Sequence, residues 1–255
     1  MARESKKNTG GIRWRLWLGI LALAAVTGST AMGALRLRRF VIADPQFQLS
    51  HRRPDALTIE GLRYASRSKV QRVFAADFDR SVFLVPLDER RRRLLAIDWV
   101  EDASVSRVWP DRLMVRIRER RPVAFVYLRS GVLLVDALGV LLDPPAQASF
   151  AFPVLSGVRE DETEADRSER VRALLRLEDS MGYLMKDISE VDTSDPDDLR
   201  VVANVDRSAV SLLLGDANFG RRYQNFVTHY PDIEKQSPGV KTFDLRLDDR
   251  ITAKD

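Results

Sequence analysis

Two short stretches carry the residue types of an acyl-transfer site. Ser66-Arg67-Ser68-Lys69 satisfies the S-x-x-K pattern of penicillin-binding acyl-transferases, and Lys241-Thr242 begins a K-T-G. The match goes no further, because Phe243 stands where the pattern requires glycine and no S-D-N occurs in the chain. Ser66 also precedes a helical pattern, where a serine hydroxyl serves as an N-cap. We therefore predict that the chain is not an enzyme and has no catalytic residue.

The chain also lacks the usual residue groups that bind metals or cofactors. His51 and His229 are far apart in sequence, without a glutamate at ligand spacing, so a zinc site is not expected. Glycine-rich phosphate loops are absent, and the lack of cysteine excludes disulfides, thiolate chemistry and cysteine-ligated metal. We expect no metal and no cofactor.

The net charge of +4 does not indicate nucleic-acid binding. Residues 1–39 contain eight Lys and Arg residues but one acidic residue, so the rest of the chain is slightly acidic. Binding to phosphate backbones requires a clustered excess of positive charge. We therefore expect no nucleic-acid partner.

Residues 16–35 form an apolar stretch of twenty residues without a charge. A hydrocarbon core of about 30 Å needs about twenty helical residues to cross it, so the stretch predicts a transmembrane helix. A cleavable signal peptide is the alternative, but a signal's apolar core usually has about 7–15 residues, which favours an uncleaved anchor. Basic residues flank the stretch and would hold its ends at the headgroups, namely Arg13, Arg15, Arg36, Arg38 and Arg39.

The basic residues do not decide the orientation of this helix. The tail at residues 1–15 and the connector at residues 36–54 contain equal numbers of Lys and Arg, so the positive-inside rule leaves the topology open. Both the anchor and the signal-peptide interpretation export the remainder of the chain.

Residues 55–121 have the pattern β-α-α-β-β. A short alternating run at 57–59 precedes two helical patterns, and the longer alternating runs at 100–108 and 113–119 follow. The outer face of the second helix carries Arg90–Arg93, which we interpret as a solvated face; a patch that faces anionic lipid or an acidic partner is the alternative. Trp99 and Trp109 are expected to pack in the core or at strand ends.

Residues 122–255 predict a sheet with two helices. Short strands are expected at 123–128, 132–136, 140–142, 199–205 and 209–214. An apolar stripe between 171 and 185 predicts the first helix, and the second should run from Phe219 to His229 and stop at Pro231. The last alternating run, 243–251, predicts one final strand. The fold class is therefore α+β.

Seven blocks of the sequence, in order, resemble the FtsQ/DivIB family of bacterial cell-division proteins. The blocks are Ile97–Val100, Ala103–Leu113, Glu119–Ala124, Leu134–Gly139, Phe152–Gly157, Leu212–Gly215 and Phe243–Arg246. The resemblance implies a cytoplasmic tail, one helix across the inner membrane, a periplasmic POTRA domain at 55–121 and a β domain at 122–255. It also implies a non-enzymatic scaffold at the division septum that recruits other division proteins and helps to regulate septal peptidoglycan synthesis.

The resemblance further implies a binding edge for the partner FtsB, which arrives with FtsL, and a link to other division proteins such as the FtsW–FtsI synthase. An open edge strand can pair with an incoming strand. The partner-binding residues implied here are Arg200, the flanking aromatic residues Tyr223, Phe226 and Tyr230, and the final strand Arg246, Leu247, Asp248, Asp249, Arg250, Ile251 and Thr252. Simple surface charge is the alternative for the arginines.

POTRA domains also occur in outer-membrane assembly and secretion factors, which is the alternative function. Such proteins carry a transmembrane barrel, and the chain lacks a sufficient number of alternating segments of about ten residues. The sequence therefore favours the division scaffold.

Overall fold

A computed structural model describes residues 10–146 and 148–254 of the chain. The chain forms two compact units. Of the described residues, the first unit comprises those up to 62 together with 66–94 and 103–117, and the second comprises 63–65, 95–102 and those from 118 onward.

The first described element is a long helix, α1, from Gly10 to Ala43. Its apolar portion, Gly19–Leu37, is long enough to cross a membrane. The helix continues past the predicted span of 16–35, because the flanking arginine and leucine residues are good helix formers. The side chain of Arg36 is exposed. Those of Arg13, Arg15, Arg38 and Arg39 lie outside the described part of the structure, so their role as membrane flanks stays a prediction.

The next five elements have the predicted order β-α-α-β-β. They are β1 (Leu57–Glu60), α2 (Arg67–Val73), α3 (Leu87–Leu95), β2 (Val100–Val108) and β3 (Arg112–Glu119). The strands form a sheet in the order β1-β3-β2, with β1 parallel to β3. The Ser66 hydroxyl accepts a hydrogen bond from the backbone N–H of Lys69, which makes Ser66 the N-cap of α2 as the sequence predicted.

The arginine run on α3 differs from the solvated face that we predicted. Arg90 is 5% exposed and forms a two-point ion pair with Asp77, which is fully buried. Its Nε donates to Asp77 Oδ2 at 2.5 Å and its Nη2 to Asp77 Oδ1 at 2.8 Å. Arg91 donates to the carbonyl of Ala103. The exposed positive charge on this helix is thus smaller than the sequence indicates.

The remaining elements form a nine-stranded mixed sheet with two helices. They are β4 (Pro122–Leu128), β5 (Gly131–Asp136), β6 (Leu141–Leu142), β7 (Val154–Ser156), α4 (Glu164–Met181), β8 (Ile188–Asp192), β9 (Leu199–Val205), β10 (Ser208–Gly215), α5 (Phe219–Gln236), β11 (Thr242–Leu247) and β12 (Arg250–Lys254). The sheet order is β12-β11-β10-β9-β8-β7-β4-β5-β6. The predicted α+β class is confirmed.

Both helices connect neighbouring parallel strands. α4 joins β7 to β8, and α5 joins β10 to β11. A parallel pair requires such a crossover, and crossovers are almost always right-handed. Because β7 and β10 point the same way and both connections move towards β12, the two helices cover the same face of the sheet. One apolar core lies between that face and the helices.

Two helix boundaries differ from the prediction. α4 begins at Glu164, within the charged stretch, because Thr163 and Asp166 form a capping box there. α5 does not stop at Pro231 but continues to Gln236. An internal proline costs about 3 kcal/mol. The burial of Tyr230 and the packing of Ile233 against the core, on either side of the proline, oppose that cost.

Candidate partner-docking edge

The sheet ends in a hairpin formed by β11 and β12, with Asp248 and Asp249 as its turn. The prediction of one strand over 246–252 was therefore wrong. The pairing shifts by one residue between Asp244–Thr252 and Leu247–Arg250. Because of this shift, Leu247 lies on the outer face of the hairpin with Asp244 and Arg250, whereas Phe243 and Leu245 face the core.

β12 is the outermost strand at this end of the sheet. Within residues 10–146 and 148–254, the one strand that pairs with β12 is β11, so the other side of β12 carries unpaired backbone groups. Unpaired N–H and C=O groups on an edge strand are a template for another strand. We refer to β11, β12 and their turn as the terminal hairpin, and to the open side of β12 as the docking edge.

The outer face of the terminal hairpin is held by ion pairs around Asp244. Arg246 lies 2.7 Å from Asp244 Oδ2 through its Nη2 and 3.3 Å from Asp198 Oδ2 through its Nη1. Lys254 Nζ lies 3.3 Å from the same oxygen of Asp244. The bond from Arg246 holds the pKa of Asp244 well below its ordinary value. Asp244, Asp198 and Lys254 were not among the predicted site residues.

The turn of the hairpin is fixed to the start of α5. Asp248 Oδ1 accepts a hydrogen bond from Arg222 Nε at 2.7 Å, and Asp248 Oδ2 accepts one from Asn218 Nδ2 at 3.0 Å. Arg222 also donates through Nη1 to the carbonyl of Leu214 at 2.6 Å. The Arg222 contact lowers the pKa of the Asp248 carboxyl. Asp248, predicted as a partner contact, is thus already bound within the fold.

The aromatic residues of α5 lie in the core and not beside the docking edge. Tyr223, Phe226 and Tyr230 are at most 3% exposed. The Phe226 and Phe243 ring centroids are 5.0 Å apart, so the helix packs its aromatic face against β11. Burial and Asp187 raise the pKa of Tyr223. The prediction that these three side chains flank a binding groove was wrong, because the apolar stripe of α5 faces the sheet.

Six of the predicted contact residues are exposed on the hairpin, namely Arg246, Leu247, Asp248, Asp249, Arg250 and Thr252. Leu247 is 59% exposed. It lines a recess of about 430 Å³ together with Asp244, Arg246, Arg250 and Thr252. Asp249 is exposed in the turn, whereas Ile251 is half-buried and packs against the core. The recess and the docking edge therefore adjoin each other.

Arg200 lies on the same face of the sheet as this recess. It stands opposite Leu213 on β10, and Leu213 stands opposite Asp244 on β11. Arg200 is exposed and forms no ion pair with a residue that the structure describes. This position leaves its charge available on the solvent-facing side of the sheet.

Comparison with known proteins agrees with this architecture. The family model described as POTRA domain, FtsQ-type, matches residues 52–120. A protein named cell division protein FtsQ from Koribacter versatilis is 39% identical over 203 residues, which cover 77% of this chain and 58% of the relative. One from Shewanella oneidensis is 28% identical over 250 residues, which cover 97% of this chain and 87% of the relative. The chain therefore has an FtsQ-type POTRA domain and is similar to FtsQ proteins over most of its length, and it spans 58% of the first of these relatives.

A solved structure is also similar in sequence over part of the chain. It is the major extracytoplasmic domain of the cell division protein DivIB from Geobacillus stearothermophilus, with 23% identity and a TM-score of 0.26. The match covers 47% of this chain and 94% of that domain. With one candidate spanning helix among the described residues, this FtsQ-type chain is a single-pass membrane protein.

The ion pairs of Asp244 with Arg246 and Lys254 predict that the free energy of unfolding depends on pH. The pKa of Asp244 is lowered in the fold, so its ion pairs stabilise the folded chain above the unfolded value of about 3.9 and lose that effect as pH falls through the folded pKa. We expect Asp244→Asn to be less stable than the parent above about pH 5 and to match it in strong acid. Urea unfolding of both chains across this pH range measures the difference. A difference in unfolding free energy between the two chains that stays the same at all pH values would contradict this prediction.

Proposed function

We propose that this FtsQ-type chain is a scaffold of the bacterial division machinery that recruits other anchored division proteins at the septum. Its tail lies in the cytoplasm, and its two folded units lie in the periplasm beside the inner membrane. The partner at the docking edge is FtsB, which arrives paired with FtsL. Through this pair the scaffold is linked to the FtsW–FtsI synthase and helps to regulate septal peptidoglycan synthesis.

The observation that supports this proposal best is the open side of β12. A segment of FtsB would add to it as a tenth strand, with main-chain hydrogen bonds supplying affinity and side-chain pockets supplying selectivity. Leu247 and the recess beside it offer an apolar contact for such a strand. Arg250 and Arg200 offer positive charge, which favours an acidic residue on the partner.

The membrane anchor strengthens such an interaction. Two proteins that are confined to one membrane meet at a higher effective concentration than two soluble ones, so modest contacts suffice for capture. Recruitment of this kind needs no covalent step, because each proposed contact between the two anchored proteins is non-covalent.

Site-specific cross-linking in membranes tests the proposal. We expect a photo-reactive side chain at Thr252 to cross-link to FtsB in cells. The matched control is Tyr183, which is 74% exposed and lies beyond the end of α4. The site is refuted when Thr252 and Tyr183 give the same yield of FtsB adduct.

A further inference from the structure

The first compact unit exposes an aromatic surface next to the end of α1. Four apolar side chains surround Phe47 and point to solvent: Phe40 is 52% exposed, Phe83 42%, Leu84 40% and Trp109 72%. Phe47 itself is 5% exposed. We name these five residues the Phe47 cluster.

Ring contacts connect the cluster to α1. The Phe47 ring centroid lies 6.0 Å from that of Phe40, 5.5 Å from that of Phe83 and 6.5 Å from that of Trp109. Phe40 is part of α1, so its ring joins the cluster to the end of that helix.

The cluster is also held in place by polar contacts. Arg107 Nε donates to the carbonyl of Val82 at 2.7 Å, and its Nη2 donates to that of Val85 at 2.8 Å. These bonds fix the short turn Val82–Leu84, which carries Phe83 and Leu84. The exposed aromatic residues are therefore presented by an ordered backbone.

The position of Phe40 places this surface at the membrane boundary. Leu37 ends the apolar portion of α1, and Phe40 follows three residues later, which is about 4.5 Å along a helix. The headgroup layer on each side of the hydrocarbon core is about 5–8 Å thick. Phe40 therefore lies within that layer, and Trp109 lies close to it.

We propose that the Phe47 cluster rests on the headgroup layer of the membrane that α1 crosses. Tryptophan and other aromatic side chains favour this layer, because it accepts an apolar ring and a polar edge together. The exposed side chain of Arg36 would face lipid phosphates beside the rings. Contact with lipid explains why an ordered surface leaves Trp109 open to solvent, and it would hold the first unit against the membrane.

Quenching of tryptophan fluorescence by brominated lipid tests this contact. The chain has four tryptophan residues, at positions 14, 17, 99 and 109. Full-length chains that retain Trp109 alone or Trp99 alone, the others replaced by phenylalanine, are reconstituted in vesicles of phosphatidylethanolamine and phosphatidylglycerol. The matched control is Trp99, which is 6% exposed and whose Nε1 donates to the carbonyl of Asp143.

We expect lipid brominated just below the ester groups to reduce Trp109 emission strongly, and lipid brominated at the chain end to reduce it less. Trp99 emission should stay unchanged with both lipids. Equal emission of Trp109 with brominated and unbrominated lipid would overturn the proposal. Because three substitutions together could disturb folding, Trp109→Phe in the otherwise unaltered chain provides a second measurement: it should remove part of the emission that shallow bromine quenches.

Discussion

Proline at one of two adjacent positions, Thr252 or Ala253, is expected to weaken FtsB–FtsL capture strongly without destabilising the chain. Along an antiparallel strand, consecutive residues alternate between pairs that exchange hydrogen bonds and pairs that do not. Thr252 stands opposite Asp244, and Ala253 stands opposite Phe243, so these are consecutive pairs. One of the two N–H groups therefore points to β11, and the other points to the docking edge.

The two prolines should have different effects. Proline on the outward position removes a donor and adds a ring to the docking edge, so we expect affinity for the FtsB–FtsL pair to fall at least about tenfold with unchanged stability. Proline on the inward position removes a bond to β11 and should lower both stability and affinity. Co-purification and urea unfolding of each variant measure the two quantities.

Alanine at Thr252 is the matched control, because it retains the backbone donor and should retain capture. The proposed edge would be excluded if both prolines bound the FtsB–FtsL pair as tightly as the parent chain does. Arg246→Glu is a less specific test, since it also breaks the ion pairs of Arg246 with Asp244 and Asp198.

The sequence was sufficient to predict elements whose burial alternates along a long strand or helix. β2 and β3 have nine and eight residues, and their periodicity is visible without a structure. β7 and β8 were not predicted. β7 has three residues, and the pairing of β8 is irregular between Ile188 and Glu190, which disturbs its alternation. Such strands are defined by their neighbours in the sheet and not by their own pattern.

The candidate site was predictable in its location but not in its contacts. The alternating pattern predicted a final strand near the carboxyl end, the family resemblance implied that this strand is an edge, and the structure has an edge strand there. Leu247 and Ile251 continue the apolar alternation of the sequence across Asp248 and Asp249, so the pattern gave no sign of the turn. The aromatic stripe on α5 would have the same sequence pattern whether it faced a groove or the core. The ion partner of Arg246 on the neighbouring loop, Asp198, is 48 residues away in sequence. Contacts at that separation depend on the completed fold.

The arginine run on α3 shows the same limit and leads to the largest expected effect on stability. Four consecutive arginines look equivalent in sequence, yet Arg90 is buried against Asp77 and Arg93 is exposed beside Glu89. Loss of Asp77 would leave the Arg90 charge with only the partly exposed Glu89 carboxylate, 3.2 Å from its Nη1, as a partner. Removal of one member of a buried ion pair costs about 3–5 kcal/mol. We therefore expect Asp77→Ala to lower the free energy of opening of the α2–α3 region by about that amount. Hydrogen exchange of peptides that cover residues 67–95, in the full chain, measures it.

Arg93→Ala is the matched control within the same run, because an exposed ion pair contributes about 0–1 kcal/mol. Equal hydrogen exchange in Asp77→Ala and Arg93→Ala would contradict a structural role for the buried pair. Replacement of both buried partners, Asp77→Leu with Arg90→Met, should restore most of the lost stability, since apolar residues of similar volume need no charge partner. Recovery in the double variant would show that the penalty arises from the unpaired Arg90 charge and not from lost packing volume at position 77.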